Sequence, residues 1–314
     1  MKISILSNRQ YKGGPATFTN RFLKFLSSES IEYTFGVSFS ELYNAHLFYI
    51  NLITSPKLFL FALIKRRCCV RLGAPYKNAY NLEVPYFLRL KYRLINFLML
   101  LQALILCDRI IFQSEYSRSR WPFLKFKNYQ VIYNSIPSWN VPVILNIENK
   151  AFALEHGYEI DTELDFAKSI LKAFSFDSIS IYGSKETAIT DNILIHKSID
   201  ASSVFKLFNK PFIFILLDKN PACSNSVLEA IASFTPVIAL RHPSLIELFG
   251  NEYPLFFDYV DNSFEINPLD VIRIKSILFD SFALESCFND YYKDIVSKLS
   301  LSQGMSNYVN FIVK

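Results

Sequence analysis

Residues 222–239, Ala-Cys-Ser-Asn-Ser-Val-Leu-Glu-Ala-Ile-Ala-Ser-Phe-Thr-Pro-Val-Ile-Ala, constrain the possible folds more than any other stretch of this chain. A polar loop enters a short helix carrying one acidic residue, and an apolar, β-prone run begins after Pro236. The spacing predicts a loop–helix–strand unit, the repeating element of an α/β sheet. The first N–H groups of such a helix lack intrahelical partners and its dipole favours anions, so its N-terminus suits a phosphate. A carboxylate one turn in can accept hydrogen bonds from sugar hydroxyls. The stretch reads as half of a nucleotide-sugar site, provided the rest of the chain supplies the other half.

A related unit opens the chain. Residues 2–7 read as a strand and Gly13-Gly14-Pro15 as a turn, with Pro15 suited to the first position of a helix. Phe18, Phe22, Phe25 and Leu26 then recur at helical spacing over 17–26. Strand, glycine turn and helix are the opening of a doubly wound domain. Further strands are expected near 47–52, 67–72, 109–113 and 130–133, with a long helix over 85–107. Ser-Ile-Pro-Ser-Trp-Asn-Val-Pro at 135–142 reads as a linker. Beyond it, strands are expected at 143–147, 178–182, 193–195, 212–217 and 236–240, and helices at 162–174, 201–208 and 226–233. A helical tail covers 268–312. At 314 residues and 51% hydrophobic content, the chain can fill two cores. The expected architecture is α/β: two Rossmann-like doubly wound domains, 1–138 and 139–314, facing each other across a cleft.

The net charge of +5 conceals a division. Residues 1–138 hold 19 Lys and Arg against 6 Asp and Glu (+13), and residues 139–314 hold 14 against 22 (−8). One domain thus faces an anionic partner. Its cations cluster as Lys65-Arg66-Arg67, then Arg89, Lys91 and Arg93, then Arg118, Arg120, Lys125 and Lys127, with Tyr86, Phe87, Tyr92 and Phe97 among them. Basic residues near anionic lipid contribute about 1 kcal/mol each, and amphipathic aromatics add interfacial anchorage. An anionic membrane surface is therefore the expected partner. Nucleic acid is not expected, because no nucleic-acid-binding motif accompanies the charge. A plain solvated basic face is the simpler alternative.

Other chemistries find little support. Cys68, Cys69, Cys107, Cys223 and Cys287 are an odd set without metal-ligand spacing, which fits free thiols in a reducing compartment. Residues 1–7 turn polar at Asn8 and Arg9, so no signal peptide is expected. The longest apolar stretch, 94–107, holds 14 residues, against the roughly 20 of a membrane-spanning helix. His46, His156, His196 and His242 lack metal-ligand spacing. Ser114 and Ser117 have no visible triad context, and neither a Walker A motif nor Gly-x-Gly-x-x-Gly occurs.

An ordered set of segments resembles the retaining GT-B glycosyltransferases of family 4 (group 1), over most of the chain. Lys12-Gly13-Gly14-Pro15-Ala16-Thr17-Phe18 is similar to that family's glycine loop. Asp108-Arg109-Ile110-Ile111-Phe112-Gln113-Ser114 resembles its strand ending in Ser, and Val131-Ile132-Tyr133-Asn134-Ser135-Ile136-Pro137 the segment closing its first domain. Residues 223–239 resemble the region of its paired glutamates, and Ser244 to Glu247 the segment after it. The resemblance implies a GT-B fold and retaining transfer from a nucleotide-sugar, without cofactor or metal; no Asp-x-Asp motif is present. It also implies that Gly13 and Gly14 admit the donor's diphosphate and that Ser224, Asn225, Ser226 and Val227 line the donor-side helix. Glu229 would hold the ribose hydroxyls. Ser226-x-x-Glu229 is equally a capping box, in which Glu returns to an N-cap amide.

Three positions depart from the family. The first glutamate of the pair is Pro221, which supplies neither carboxylate nor N–H. The glycine before Thr235-Pro236 is Phe234. No Arg/Lys pair follows 143–147; Lys150 and Lys185 are the candidates to neutralise the diphosphate, and His46 is a weak candidate base on the acceptor side. The resemblance implies a cytoplasmic enzyme, peripheral on the inner face of the plasma membrane, glycosylating a lipid-linked or polysaccharide acceptor. A degenerate GT-B binding protein and a GT-B nucleotide-sugar epimerase are the alternatives.

Overall fold

The computed structural model describes residues 2–6, 14–35, 46–50, 68–76, 85–139, 141–154, 160–184, 186–218, 221, 224–260 and 265–314. The chain divides into two units, Met1–Ser135 with Leu301–Lys314, and Ile136–Ser300. The expected linker thus contains the crossing. The expected second domain, 139–314, loses its end, because the C-terminal helix (Leu301–Val313) joins the first unit.

Unit 1 is a six-stranded sheet in the order β2-β1-β3-β4-β5-β6, parallel throughout. The strands are β1 (Lys2–Leu6), β2 (Glu32–Phe35), β3 (His46–Ile50), β4 (Cys68–Leu72), β5 (Arg109–Phe112) and β6 (Asn128–Val131). Helix α1 (Gly14–Ser28) follows β1, α2 (Tyr86–Ile105) lies between β4 and β5, and the short α3 (Glu115–Ser119) follows β5. The strand order reverses between β1 and β3, so α1 begins at the topological switch point. One face packs Phe18, Phe22 and Leu26 of α1 with Tyr308 and Ile312 of the C-terminal helix; the other packs Met99 and Ala103 of α2.

Two arginines explain why the last helix returns to this unit. Arg109 Nη1 donates to the carbonyls of Phe311 (3.1 Å) and Ile312 (2.7 Å), satisfying the negative end of that helix. Buried Arg71 donates to Asn134 Oδ1 (2.5 Å) and to Tyr308 Oη (3.3 Å), with its guanidinium 4.0 Å over the Phe18 ring. Gly304 permits the close approach, since a Cβ there would meet Ser135 Oγ at 2.2 Å.

Unit 2 is a seven-stranded sheet in the order β13-β12-β11-β7-β8-β10-β9. Its strands are β7 (Lys150–Leu154), β8 (Ser178–Ser184), β9 (Ala188–Thr190), β10 (Ile193–Lys197), β11 (Ile213–Leu216), β12 (Val237–Leu240) and β13 (Phe256–Phe257). All pairings are parallel except β9 with β10, a hairpin turned by Asp191 and Asn192, both at positive φ. Helices α4 (Ile160–Phe174), α5 (Ala201–Phe208), α6 (Asn225–Ala232), α7 (Pro243–Phe249), α8 (Pro268–Leu278), α9 (Ser281–Cys287) and α10 (Lys293–Lys298) complete it. The order reverses between β7 and β11, the Rossmann arrangement.

The expected strand at 143–147 is irregular, and β7 forms one step later. A central strand must be buried on both faces. Ala151, Phe152 and Ala153 meet that requirement, whereas Val143 and Asn146 remain exposed.

Candidate donor site

In a doubly wound sheet, ligands bind beyond the carboxyl ends of the strands beside the switch point. In unit 2 the segment leaving β11 meets this condition. It runs through buried Leu217 to Asp218 and Pro221 and then enters α6. The neighbouring strand β12 leads through Arg241 to His242 and α7. Two helix N-termini therefore stand at adjacent strand ends.

Helix α6 starts earlier than the capping box requires. Ser224 is its N-cap, with Oγ accepting from the Val227 amide at 3.4 Å and lying 2.7 Å from Ser226 Oγ. Ser226 therefore lies inside the helix, and Glu229 occupies the second turn, half-buried, so the Ser226-x-x-Glu229 box is not the N-cap of this helix. Asn225, Ser226 and Val227 form the first turn, where the backbone N–H groups and the positive dipole end attract an anion. The structure thus brings Ser224, Asn225, Ser226, Val227 and Glu229 together on one helix.

The other end of α6 explains Phe234. Ser233 is the C-cap, and Phe234 follows at φ +52°, the left-handed region usually given to glycine. Its amide donates to Ile231 O (3.1 Å) and the Thr235 amide to Ala230 O (2.9 Å), a complete Schellman closure. The Phe234 ring packs against Phe288 and Tyr292, offsetting the strain. Tyr292 Oη donates to Thr235 O (3.0 Å) and accepts from the Val237 amide (3.0 Å), while Tyr253 Oη donates to Val237 O (3.0 Å). These two buried tyrosines hold the passage from α6 into β12.

Pro221 is buried, and its carbonyl accepts from Ser244 Oγ at 2.5 Å. Having no N–H, it leaves no orphan donor there. The loop is therefore pinned to α7. His242 caps α7 through Nδ1, which accepts from the Ser244 amide (3.3 Å), and Pro243 fills the first helical position. Burial pushes the His242 pKa below its ordinary value, with the nearby Asp218 carboxylate partly opposing it. Asp218 and His242 were not singled out by sequence motifs. The available signal was their placement, each just beyond a buried apolar run that ends a strand.

Other expected residues lie elsewhere. Lys150 is the first residue of β7, at the amino end, about 13 Å of strand from the carboxyl edge. It pairs with Glu148 at 2.7 Å and lies over Phe212, so its assignment to the diphosphate is corrected. His46 likewise starts β3 at the amino end, the wrong end for a base in the crevice. Gly14 is the first residue of α1, at the switch point of unit 1. Gly13, Lys185 and Cys223 lie outside the described residues. Arg241 is a cation at the end of β12, but it is held by Asp258 (2.9 Å) and Asn251. Among the described residues no three His, Cys, Asp or Glu side chains are grouped as a metal site. Cys68, Cys69, Cys107 and Cys287 are buried, and burial raises the pKa of Cys287 to about 12.

Two doubly wound α/β units in one chain, with a helix N-terminus at the second switch point, define the GT-B class of fold. Solved structures that match include GT-B glycosyltransferases. An α-glucosyltransferase in complex with UDP and a 13-mer DNA has a TM-score of 0.67 at 12% identity, with 100% of each chain covered. WaaG, a glycosyltransferase involved in lipopolysaccharide biosynthesis, has a TM-score of 0.63 at 9% identity, with 99% of each chain covered. TarM has a TM-score of 0.60 at 13% identity over 85% of this chain, which spans about half (54%) of the TarM chain. No family model matches the sequence, and no curated protein matches it.

Proposed function

We propose that this chain is a metal-independent glycosyltransferase, transferring a sugar from a nucleotide-sugar to a hydroxyl of a lipid-linked or cell-surface glycan with retention of configuration. The observation that carries the reading is α6: an anion-attracting first turn at the switch point, with Glu229 one turn further in. Backbone amides of Asn225 and Ser226 and the hydroxyls of Ser224 and Ser226 would meet the diphosphate, and the Glu229 carboxylate would accept from ribose hydroxyls. The glycosidic carbon–oxygen bond to the diphosphate breaks, the acceptor oxygen bonds to the same face of that carbon, and the acceptor proton passes to the departing diphosphate. Such catalysis rests on positioning and on stabilising the developing charge. That matching structures include a glycosyltransferase bound to UDP supports a nucleotide donor here. The reading puts the protein in the cytoplasm, at the inner face of the plasma membrane, where a lipid-linked acceptor would be met. The test is isotope-labelled transfer from a panel of nucleotide-sugars to membrane extracts; label incorporated by the wild type and lost with Glu229→Ala supports the reading, and equal turnover contradicts it.

Pro221 favours a second reading. The position where the family carries a glutamate for the transferred sugar here holds a buried proline whose carbonyl is bonded to Ser244. A GT-B protein that binds nucleotide or glycan without transfer would tolerate this. Saturable nucleotide binding with no transfer from any donor would establish it.

A further inference from the structure

Helix α2 carries two apolar faces, and the core accounts for one. Asn96, Met99, Gln102 and Ala103 are buried, and Asn96 fixes the helix's rotation by bonding both the Tyr76 amide (2.8 Å) and the Tyr76 carbonyl (3.2 Å). At 100° per residue, Phe87, Leu90, Leu94, Phe97, Leu98 and Ile105 fall within an arc of about 100° on the opposite side. All six are exposed, Phe87 at 83%, and the stripe runs about 27 Å along the helix. The turn Pro122–Leu124 packs against α2, and the nearby Phe123 (68%) and Phe126 (84%) are exposed as well. A continuous exposed stripe of this kind marks an interaction surface.

Cations border the stripe. Lys91 flanks one side; on the other, Tyr86, Arg89, Leu90 and Arg93 line a recess of about 60 Å³. Arg89 lies at the Tyr86 ring, 6.0 Å from its centroid, and its Nε is buried without a hydrogen-bond partner among the described residues. Two guanidiniums beside an apolar, aromatic edge match an anionic phospholipid, whose phosphate sits just above its acyl chains. Unit 1 and α2 have the charge that such a surface attracts, with no acidic residue on the helix.

We propose that α2 lies in the interface of an anionic bilayer, its Phe87–Leu94–Phe97 edge among the acyl chains and its Arg89/Arg93 recess holding a lipid phosphate. The assignment goes beyond the donor site and stands whether or not sugar transfer is found. It is tested by sedimenting the full chain with phosphatidylcholine vesicles and with vesicles containing phosphatidylglycerol, at about 0.1 M salt, where screening leaves only close contacts. The anionic vesicles bind at least about tenfold more tightly, and Arg89→Gln with Arg93→Gln lowers that binding about 10- to 30-fold. Lys91→Gln with Lys125→Gln, the same loss of charge, costs less, and Phe87→Ser with Phe97→Ser weakens binding to both vesicle types. Millimolar inorganic phosphate does not displace the protein. Equal binding to both vesicles, equal loss from the lysine and arginine pairs, displacement by phosphate, binding of duplex DNA in place of vesicles, or a dimer abolished by the Phe pair with vesicle binding untouched would each overturn the assignment. Circular dichroism of each variant checks that it folds; Arg93, Lys91, Lys125, Phe87 and Phe97 are exposed and Arg89 is half-buried.

Discussion

Phe234 shows how one residue can break a local rule and be held by its surroundings. Its left-handed backbone costs roughly 1 kcal/mol for a residue with a Cβ, while its ring packs against Phe288 and Tyr292. Phe234→Ala keeps the strain and loses the packing; Phe234→Gly loses the packing and relieves the strain. Denaturant unfolding is expected to place the glycine variant about 1 kcal/mol above the alanine variant, and the reverse order would contradict the Schellman geometry. His242 supplies a second test. Its pKa is lowered by burial, so the folded protein keeps it neutral where the unfolded chain would take up a proton. The stability this contributes is present above about pH 6.5 and is lost as the pH falls below it. Thermal melts from about pH 7.5 to 5.5 should fall less steeply for His242→Asn, whose side chain can still cap α7 but does not titrate. Neither residue's role was legible in the chain, because αL strain and burial depend on neighbours distant in sequence. Phe234 at a glycine position was visible as an anomaly, and its geometry answers which way the anomaly resolves.

At the scale of elements, alternating strands and helices were legible wherever periodicity was strong. The helices expected at 162–174, 201–208 and 226–233 appear as α4, α5 and α6, within two residues at each end. β-Propensity misled at 143–147, where a β-branched run lost to Ala-Phe-Ala because a central strand is chosen by burial on both faces. That one-element shift moved Lys150 from the crevice to the opposite edge of the sheet. The C-terminal helix was read as a helix but given to the wrong unit, since no local pattern announces that Arg71 and Arg109 will bind it. Removing residues 301–314 strips buried Met305, Tyr308 and Ile312 from the first core. Limited proteolysis of that truncated chain should cut unit 1 at protease levels that leave unit 2 intact. Equal resistance of the two units would show that the helix is dispensable. Arg109→Ala should act more mildly, costing about 1–3 kcal/mol through the uncapped carbonyls of Phe311 and Ile312.

At the scale of the whole chain, the sharp charge division and the two cores pointed to two domains, and the two doubly wound sheets agree with that reading. The candidate donor helix was legible as a helix with hydroxyls at its start, because the chemistry of a helix N-terminus is local. The parts supplied by tertiary placement, Asp218 beside His242 and Ser244 holding Pro221, were not. The central claim is that α6 presents a nucleotide-binding first turn with Glu229 behind it. Calorimetric titration of the full chain with UDP and with GDP, wild type against Glu229→Ala, tests it most directly. Saturable binding of one nucleotide is expected, weakened about 10- to 100-fold in the variant, the loss of a charge-assisted hydrogen bond to the ribose. No binding of either nucleotide at millimolar concentration, or equal affinity in the two proteins, would contradict it.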